Sequence, residues 1–555
     1  MKAISPKHYR ILFYASWLLL GAIQATYTEL QDDEAYYWVY AHFLDWGYFD
    51  HPPMIALLIK CGTFFLGNEL GVRLFPLLLN TATLWVTEKL VGEEKKTLFY
   101  AICLSLAVLP VIGFMAVPDI PLLFFTAVFF WCYKKFAARY SIKNTLLLAI
   151  AAALLLYTKY HGILIIFFTL ISNISLFKKW QTYAAGLIAL ALFVPHLWWQ
   201  YQHDWISFRY HLFESNVNKY RPSFTLEYLL GQLLIAGPFA GFILWPATFL
   251  YCTKNYLERA LKFTSIDILI FFFLSSFKGK VEANWTAPAL IPLIVLGYHY
   301  LVQKEGARKW LYRLLPVTIV LTLLVRFVLI ADVLPVSAVV KRYHAWKGWP
   351  KEIKNKTAGL PLVFNNSYQR ASKTWFYTGQ KTYSLNNYRD RRNNYNFWPI
   401  EDSLLGKPVY TLDIYEVSHF PDSVQATLWN VGIRYDSSFY AFSKVAFKPL
   451  QKNFSIAAKD SLTLPFQLDI SPYYRSFLAT HPQVDPPVLI GVFVGQKWIK
   501  DLPLPYSLQQ LVNQKVSTIT VQPQLPKGDY ILRFAVGSYG DLYTHNSDKI
   551  LLKIP

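Results

Sequence analysis

Apolar residues run in long blocks through the first 335 positions, and polar residues gather in the gaps between blocks. A membrane-spanning helix needs about 20 mostly apolar residues. Eight blocks have that character: 11–26, 71–91, 98–117, 121–136, 182–199, 228–251, 286–302 and 311–331. Three shorter ones, 146–158, 162–177 and 265–277, fit tilted or partly submerged helices. The pattern predicts about eleven spans. Segment 53–66 is too short for that and is expected to lie on the membrane surface.

After about residue 331 the long blocks stop. Short apolar runs at 361–364 and 408–412 flank a helical pattern at 367–377, which predicts an α/β domain over 336–450. From 451 to 555 strand patterns follow one another, at 461–470, 487–494, 516–521 and 530–536, with turn signals such as Pro526-Lys527-Gly528-Asp529 between them. That spacing predicts a β-sandwich. The domains expected are therefore 1–335, 336–450 and 451–555. No internal repeat is visible.

Composition agrees with the pattern. Of 555 residues 54% are hydrophobic and only 16% charged, against about 25% charged in soluble domains. Mean hydropathy is +0.26, which excludes a disordered chain. The formal charge of +20 raises nucleic-acid binding as a reading, but its placement argues otherwise. With the N-terminus inside, nineteen Lys and Arg fall in the N-terminal segment and inner connections, from Lys2 to Arg313. Only eight fall on the other side: Lys60, Arg73, Lys159, Arg209, Lys219, Arg221, Lys278 and Lys280. That is the positive-inside pattern. It makes membrane lipid, not nucleic acid, the expected partner, and with an odd span count it puts the C-terminal region outside. Segment 1–26 lacks a small-residue cleavage site and reads as a retained first span. Cys61, Cys103, Cys132 and Cys252 have no metal-site or disulfide spacing. Arg326, near the outer end of the last span, is expected to snorkel.

The outer connections carry the candidate chemistry. The first, TELQDDEAYYWVYAHFLDWGYFDHPP, holds Glu29, Asp32, Asp33, Glu34, Asp45 and Asp50 and no Lys or Arg. Adjacent carboxylates raise one another's pKa, which suits a general base or a divalent-cation site. The plainer reading makes Asp32 or Asp33 the cap of a helix starting near Ala35, with Tyr36, Tyr37, Trp38 and Tyr40 as an interfacial belt. Asp119 stands between two spans, again a cap with Pro121 behind it, or a second active carboxylate. Lys159-Tyr160-His161 and Lys278-Gly279-Lys280-Val281-Glu282 put cations at the same face, where Arg209 also lies. A carboxylate cluster beside cations at the lipid boundary fits a substrate that is both phosphate and lipid.

The stretches DDEAYYWVYAHFLDWGYFDHPPMIALLI, VRLFPLL, VPDIPLLFF, LYTKYHGILI and KVEANWTAPALIPL, in this order, resemble bacterial glycosyltransferases of the family 39/83 type. These are GT-C enzymes related to protein O-mannosyltransferases and lipid A aminoarabinose transferases. The resemblance covers about residues 5–335. It implies a polytopic GT-C fold, a polyprenyl-phosphate-sugar donor, and transfer to an envelope lipid, glycan or protein at the outer face of the cytoplasmic membrane. It implies catalytic roles for Asp33, Glu34 and Asp119. It matches Lys159 and Lys280 to residues that hold the donor phosphate, and Tyr160, His161, Arg209, Lys278 and Glu282 on the same outer connections are the further donor-binding candidates. No cofactor is required, and a divalent cation at Asp32, Asp33, Glu34 and Asp119 stays open. The EANW loop departs from the aminoarabinose transferases, which puts lipid A in question as acceptor. The alternatives are a polysaccharide polymerase or ligase and, further off, a transporter. A transporter would carry inverted repeats and midplane charges, and neither is visible.

Overall fold

The computed structural model describes residues 6–92, 94–106, 108–214, 220–331, 333, 343–346, 348–426, 429–540 and 542–555. The chain forms two compact units, Met1–His344 and Ala345–Pro555.

The first unit is helical. Its elements are α1 (Pro6–Tyr27), α2 (Asp32–Tyr40), α3 (Met54–Phe65), α4 (Glu69–Glu88), α5 (Lys96–Ser105), α6 (Val108–Ile112), α7 (Asp119–Ala138) and α8 (Ile142–Leu156). There follow α9 (Gly162–Ser172), α10 (Trp180–Gln202), α11 (Ile206–Arg209), α12 (Pro222–Ile235), α13 (Gly241–Leu250), α14 (Tyr256–Ser275), α15 (Leu290–Gln303) and α16 (Glu305–Ile330). Polar residues set several starts by accepting from orphan amides. Asn68 accepts from Gly71 N, Ser141 from Asn144 N and Asn255 from Glu258 N.

Among the described residues five helices are long and apolar enough to cross a membrane: α4, α7, α10, α16, and α15 with the 3₁₀ turn Ala283–Ala289 before it. Counting the bent pair His8–Tyr27 and Asp32–Tyr40, which meet at 91°, makes six. The chain is thus built as a multi-pass membrane protein. Two expected spans are interrupted. Block 98–117 holds Pro110, whose missing N–H and bulky ring stop an α-helix, and it divides into α5 and α6. Block 228–251 divides at Gly237, which has φ +98° and lies so close to Ser105 O that a Cβ would stand 2.2 Å from it. Segment 53–66 forms a separate short helix, α3.

The second unit is rich in sheet. Strands β1 (Leu362–Asn365), β2 (Thr382–Leu385), β3 (Val409–Asp413), β4 (Asp422–Gln425) and β5 (Asn430–Asp436) pair in the order β2-β1-β3-β5-β4. The β2-β1-β3 core is parallel, with Val363 opposite both Tyr383 and Thr411. The helix Tyr368–Thr378, capped by Ser367, joins β1 to β2. Beyond it come β6 (Ala446–Pro449), β7 (Asn453–Ser455), β8 (Leu462–Asp469), β9 (Pro487–Val494) and β10 (Lys497–Ser507). The last strands are β11 (Thr518–Val521), β12 (Gly528–Gly537), β13 (Tyr543–His545) and β14 (Ile550–Ile554). One sheet runs β10-β9-β12-β14-β7, with β13 on β12, and a second runs β11-β8-β6. Leu464 and Phe466 of the second share one core with Ile490, Val492, Leu532 and Phe534 of the first.

Two expectations about side chains change. Tyr36, Tyr37 and Tyr40 form no belt: they are buried, with Tyr40 stacked on Tyr48 at 4.0 Å. The bend after α1 turns α2 inward, so rings that a straight helix would lay in the headgroups pack against protein. Arg326 does not snorkel. It is buried, and its guanidinium donates to the carbonyls of Leu20 and Pro110.

Candidate active site

The bend between α1 and α2 is held by one ion pair. Arg73 of α4 donates from Nε to Glu34 Oε1 at 2.7 Å and from Nη2 to Oε2 at 2.6 Å. Its other donors reach the carbonyls of Ala25, Thr28 and Glu29. Ala25 is in the last turn of α1, whose carbonyls lack helical partners, and Thr28 and Glu29 are in the bend that follows. Glu34 also accepts from Gln31 N at 2.9 Å and Ala116 N at 2.8 Å. Both side chains are fully buried. All five guanidinium donors are used, the condition under which a buried pair is tolerable.

This arrangement separates the three adjacent carboxylates. Helix α2 begins at Asp32, with Gln31 in the capping position, not at Ala35 behind an aspartate cap. Glu34 turns into the protein, while Asp33 on the first turn stays exposed and lines a cavity of about 960 Å³. Asp119 opens α7 behind Pro118, so it is not the cap either. Its Oδ1 accepts from Lys159 Nζ at 2.8 Å and its Oδ2 from Asn284 Nδ2 at 3.0 Å. Asp119 and Lys159 are both buried and both line the cavity.

Of the residues singled out in the sequence, Asp33, Asp119, Lys159, Tyr160, His161, Lys278 and Glu282 line this one cavity. They come from the starts of α2, α7 and α9 and from the segment after α14. Glu34 and Arg209 do not line it, and Arg209 is exposed on α11. Lys280 is also outside the lining and pairs with Glu282 at 3.2 Å, both about half exposed. Lys278, by contrast, has no carboxylate partner among the described residues. Asp32, Asp33, Glu34 and Asp119 do not assemble as a metal site: Glu34 is committed to Arg73 and Asp119 to Lys159. Among the described residues no group of three or more His, Cys, Asp or Glu is placed to hold a metal ion.

The apolar share of the wall includes Ile163, Leu164, Phe271 and Phe272. The His161 ring lies 5.2 Å from that of Phe272 and 5.9 Å from that of Trp285. Burial, then the charge of Lys159 and the neighbouring His211, hold the His161 imidazole well below its ordinary pKa of 6.5, so it is neutral. Tyr160 donates toward His196 at 3.3 Å and accepts from Gln200 at 2.9 Å, which fixes the cavity floor to α10.

Sequence reasoning missed Arg73 and Asn284 as site-building residues. Arg73 left a signal, a lone cation in an apolar helix, which calls for a carboxylate partner. Asn284 left none, because an amide two residues beyond Glu282 has no distinguishing pattern.

With that geometry established, the known proteins become informative. Residues 50–199 match the family described as dolichyl-phosphate-mannose-protein mannosyltransferase. The lipid A galacturonosyltransferase RgtD of Rhizobium johnstonii is 26% identical over 300 residues, which are 51% of this chain and 63% of that relative. The crystal structure of ArnT from Cupriavidus metallidurans bound to undecaprenyl phosphate superposes with a TM-score of 0.57 at 14% identity, covering 77% of this chain and 98% of that one. Its apo structure gives the same TM-score at 13% identity. The chain is therefore similar to that mannosyltransferase family over residues 50–199, and shares the fold of ArnT over 77% of its length. The stretch matching the mannosyltransferase family runs from Asp50 to Trp199 and takes in Asp119, Lys159, Tyr160 and His161, but not Asp33 or the Lys278 segment.

Proposed function

We propose that the protein transfers a sugar from a polyprenyl-phosphate donor to an envelope acceptor at the outer face of the cytoplasmic membrane, with its N-terminus cytoplasmic and its sheet-rich region outside. The observation that carries this reading is the single cavity in which an exposed carboxylate, Asp33, faces the same space as Lys278 and an apolar wall. A phosphate needs the cation, a prenyl chain the wall, and an acceptor hydroxyl the carboxylate. Relatives named for lipid A transfer and for undecaprenyl phosphate support a lipid acceptor and a polyprenyl donor.

In this reading the acceptor oxygen attacks the anomeric carbon as its bond to the donor phosphate breaks. The bonding pair leaves on the phosphate oxygen, and Lys278 stabilises the charge growing there. Asp33 takes the acceptor's proton. Asp119 accepts from Lys159 and Asn284 and so ties together the cavity wall. Direct displacement inverts the anomeric centre.

The test is Asp33→Asn in protein that inserts and folds. Turnover falls by about 10²–10⁴-fold, the range for a lost general base, with donor affinity kept. Unchanged turnover would overturn the assignment. Mass spectrometry of envelope lipids with and without active protein identifies the acceptor by one missing sugar.

A further inference from the structure

A second cavity lies elsewhere in the helical unit. Its volume is about 380 Å³, and it shares no lining residue with the candidate active site. It lies between α1, α5 and α16 and is lined by Leu12, Trp17, Leu104, Leu315, Ile319 and Leu323, with Arg326 also on its wall. The lining positions on α16 run from Tyr312 to Arg326, about 21 Å at 1.5 Å per residue. Helix α16 is largely unburied by protein: Val320, Leu324, Val325 and Phe327 are exposed on it. In a membrane helix such a face meets hydrocarbon.

Arg326 is the exception in this apolar groove. It is 8% exposed. Nε and Nη2 reach Pro110 O, and Nη1 reaches Leu20 O. These contacts use three of the five donors a guanidinium carries. Among the described residues no carboxylate neutralises it. The contrast with Arg73 is direct, since that buried arginine has a bidentate glutamate and every donor engaged. A buried charge without a counter-ion is costly, and carbonyl dipoles compensate it only in part. A guanidinium so placed suits an anion with several acceptor oxygens, reached from hydrocarbon and attached to an apolar chain.

We propose that this groove binds a phosphate-bearing membrane lipid, with the phosphate against Arg326 and one hydrocarbon chain laid between α1 and α16. The site is separate from the transfer cavity and does not depend on the reading given to it. Planar guanidinium suits phosphate oxygens better than a point charge does. The chain fills the groove where lipid would otherwise border a void.

Native mass spectrometry of the full chain in detergent tests this, with dioleoyl phosphatidylglycerol as the probe, dioleoylglycerol as a phosphate-free control and inorganic phosphate as a chain-free control. The expected result is one phosphatidylglycerol retained per protein and neither control retained. Ile319→Trp fills the groove without touching Arg326, and retention weakens about tenfold. Arg326→Gln weakens it at least as much. Equal retention of dioleoylglycerol, or Ile319→Trp binding as the unaltered protein does, would overturn the proposal. Because Ile319 lies outside the transfer cavity, sugar transfer by that variant separates failure here from failure of the proposed activity.

Discussion

Lys159 Nζ and Asp119 Oδ1 lie 2.8 Å apart with both side chains nearly withdrawn from solvent. Breaking such a pair by removing one partner costs about 3–5 kcal/mol, whereas replacing both with apolar groups is often neutral. Asp119→Leu and Lys159→Met should therefore each lower the melting temperature, while the double variant recovers most of it. Sugar transfer should stay low in all three, because both residues line the cavity. A double variant with restored transfer would reduce the pair to a structural tie. Thermal unfolding in detergent, read beside turnover, separates the two roles.

Asp33 and Glu34 are neighbours with opposite tasks, and they should respond differently to the same change. Glu34 is fully buried and serves Arg73, Gln31 and Ala116. Glu34→Gln removes the charge that Arg73 needs and should destabilise the unit by about 3–5 kcal/mol. Arg73→Lys should do the same: three ammonium donors replace five in a site where the guanidinium meets three carbonyls and two carboxylate oxygens. Asp33→Asn should lower the melting temperature much less than Glu34→Gln does, and lower transfer by about 10²–10⁴-fold. A Glu34→Gln protein as stable as the parent would show that the bend does not depend on the pair.

Those two residues also mark how far the sequence could be read. The long apolar helices and several strands followed from block length and period, because burial in lipid or in a sheet repeats over many residues; the count of eleven spans did not, since five or six helices among the described residues are long and apolar enough to cross a membrane. Strand Pro487–Val494 lies where the apolar run ends at each side. Strand β10 went unread because Lys497, Lys500, Asp501, Pro503 and Pro505 break its alternation on an exposed edge. Within the DDE triplet, adjacency suggested shared chemistry. What separates the carboxylates is α2, whose first turn points Asp33 outward and Glu34 toward a helix 39 residues later. A lone Arg73 in an apolar helix calls for a carboxylate, but which of the three it takes is a tertiary fact with no local trace. The same holds for Asn284, which reaches Asp119 across 165 residues. Arg326 was misplaced for a related reason: snorkelling assumes a nearby interface, but the carbonyl of Pro110, set by the interrupted α5–α6 segment, offered a closer acceptor.

The His161 ring supplies a pH dependence whose sign follows from its surroundings. It is packed beside Phe272 and Trp285 and near Lys159 and His211. Burial, reinforced by the two basic neighbours, lowers its pKa well below 6.5 in the folded protein, while the unfolded chain keeps the ordinary value. At pH below 6.5 the unfolded chain therefore binds a proton that the folded chain refuses. A depressed folded pKa gives stability that is complete above 6.5 and is lost as pH falls toward the folded value. The melting temperature should accordingly decline between pH 6.5 and 5. Other groups titrate there too, so the decisive quantity is the difference between the parent protein and His161→Gln, measured point by point in the same detergent. Gln keeps a polar side chain but cannot be protonated. The variant should be less stable at pH 7.5, where a packed aromatic ring has been lost, and the gap should narrow as pH falls. A gap that stays constant from pH 7.5 to 5 would mean that the imidazole titrates normally and is solvated in the cavity.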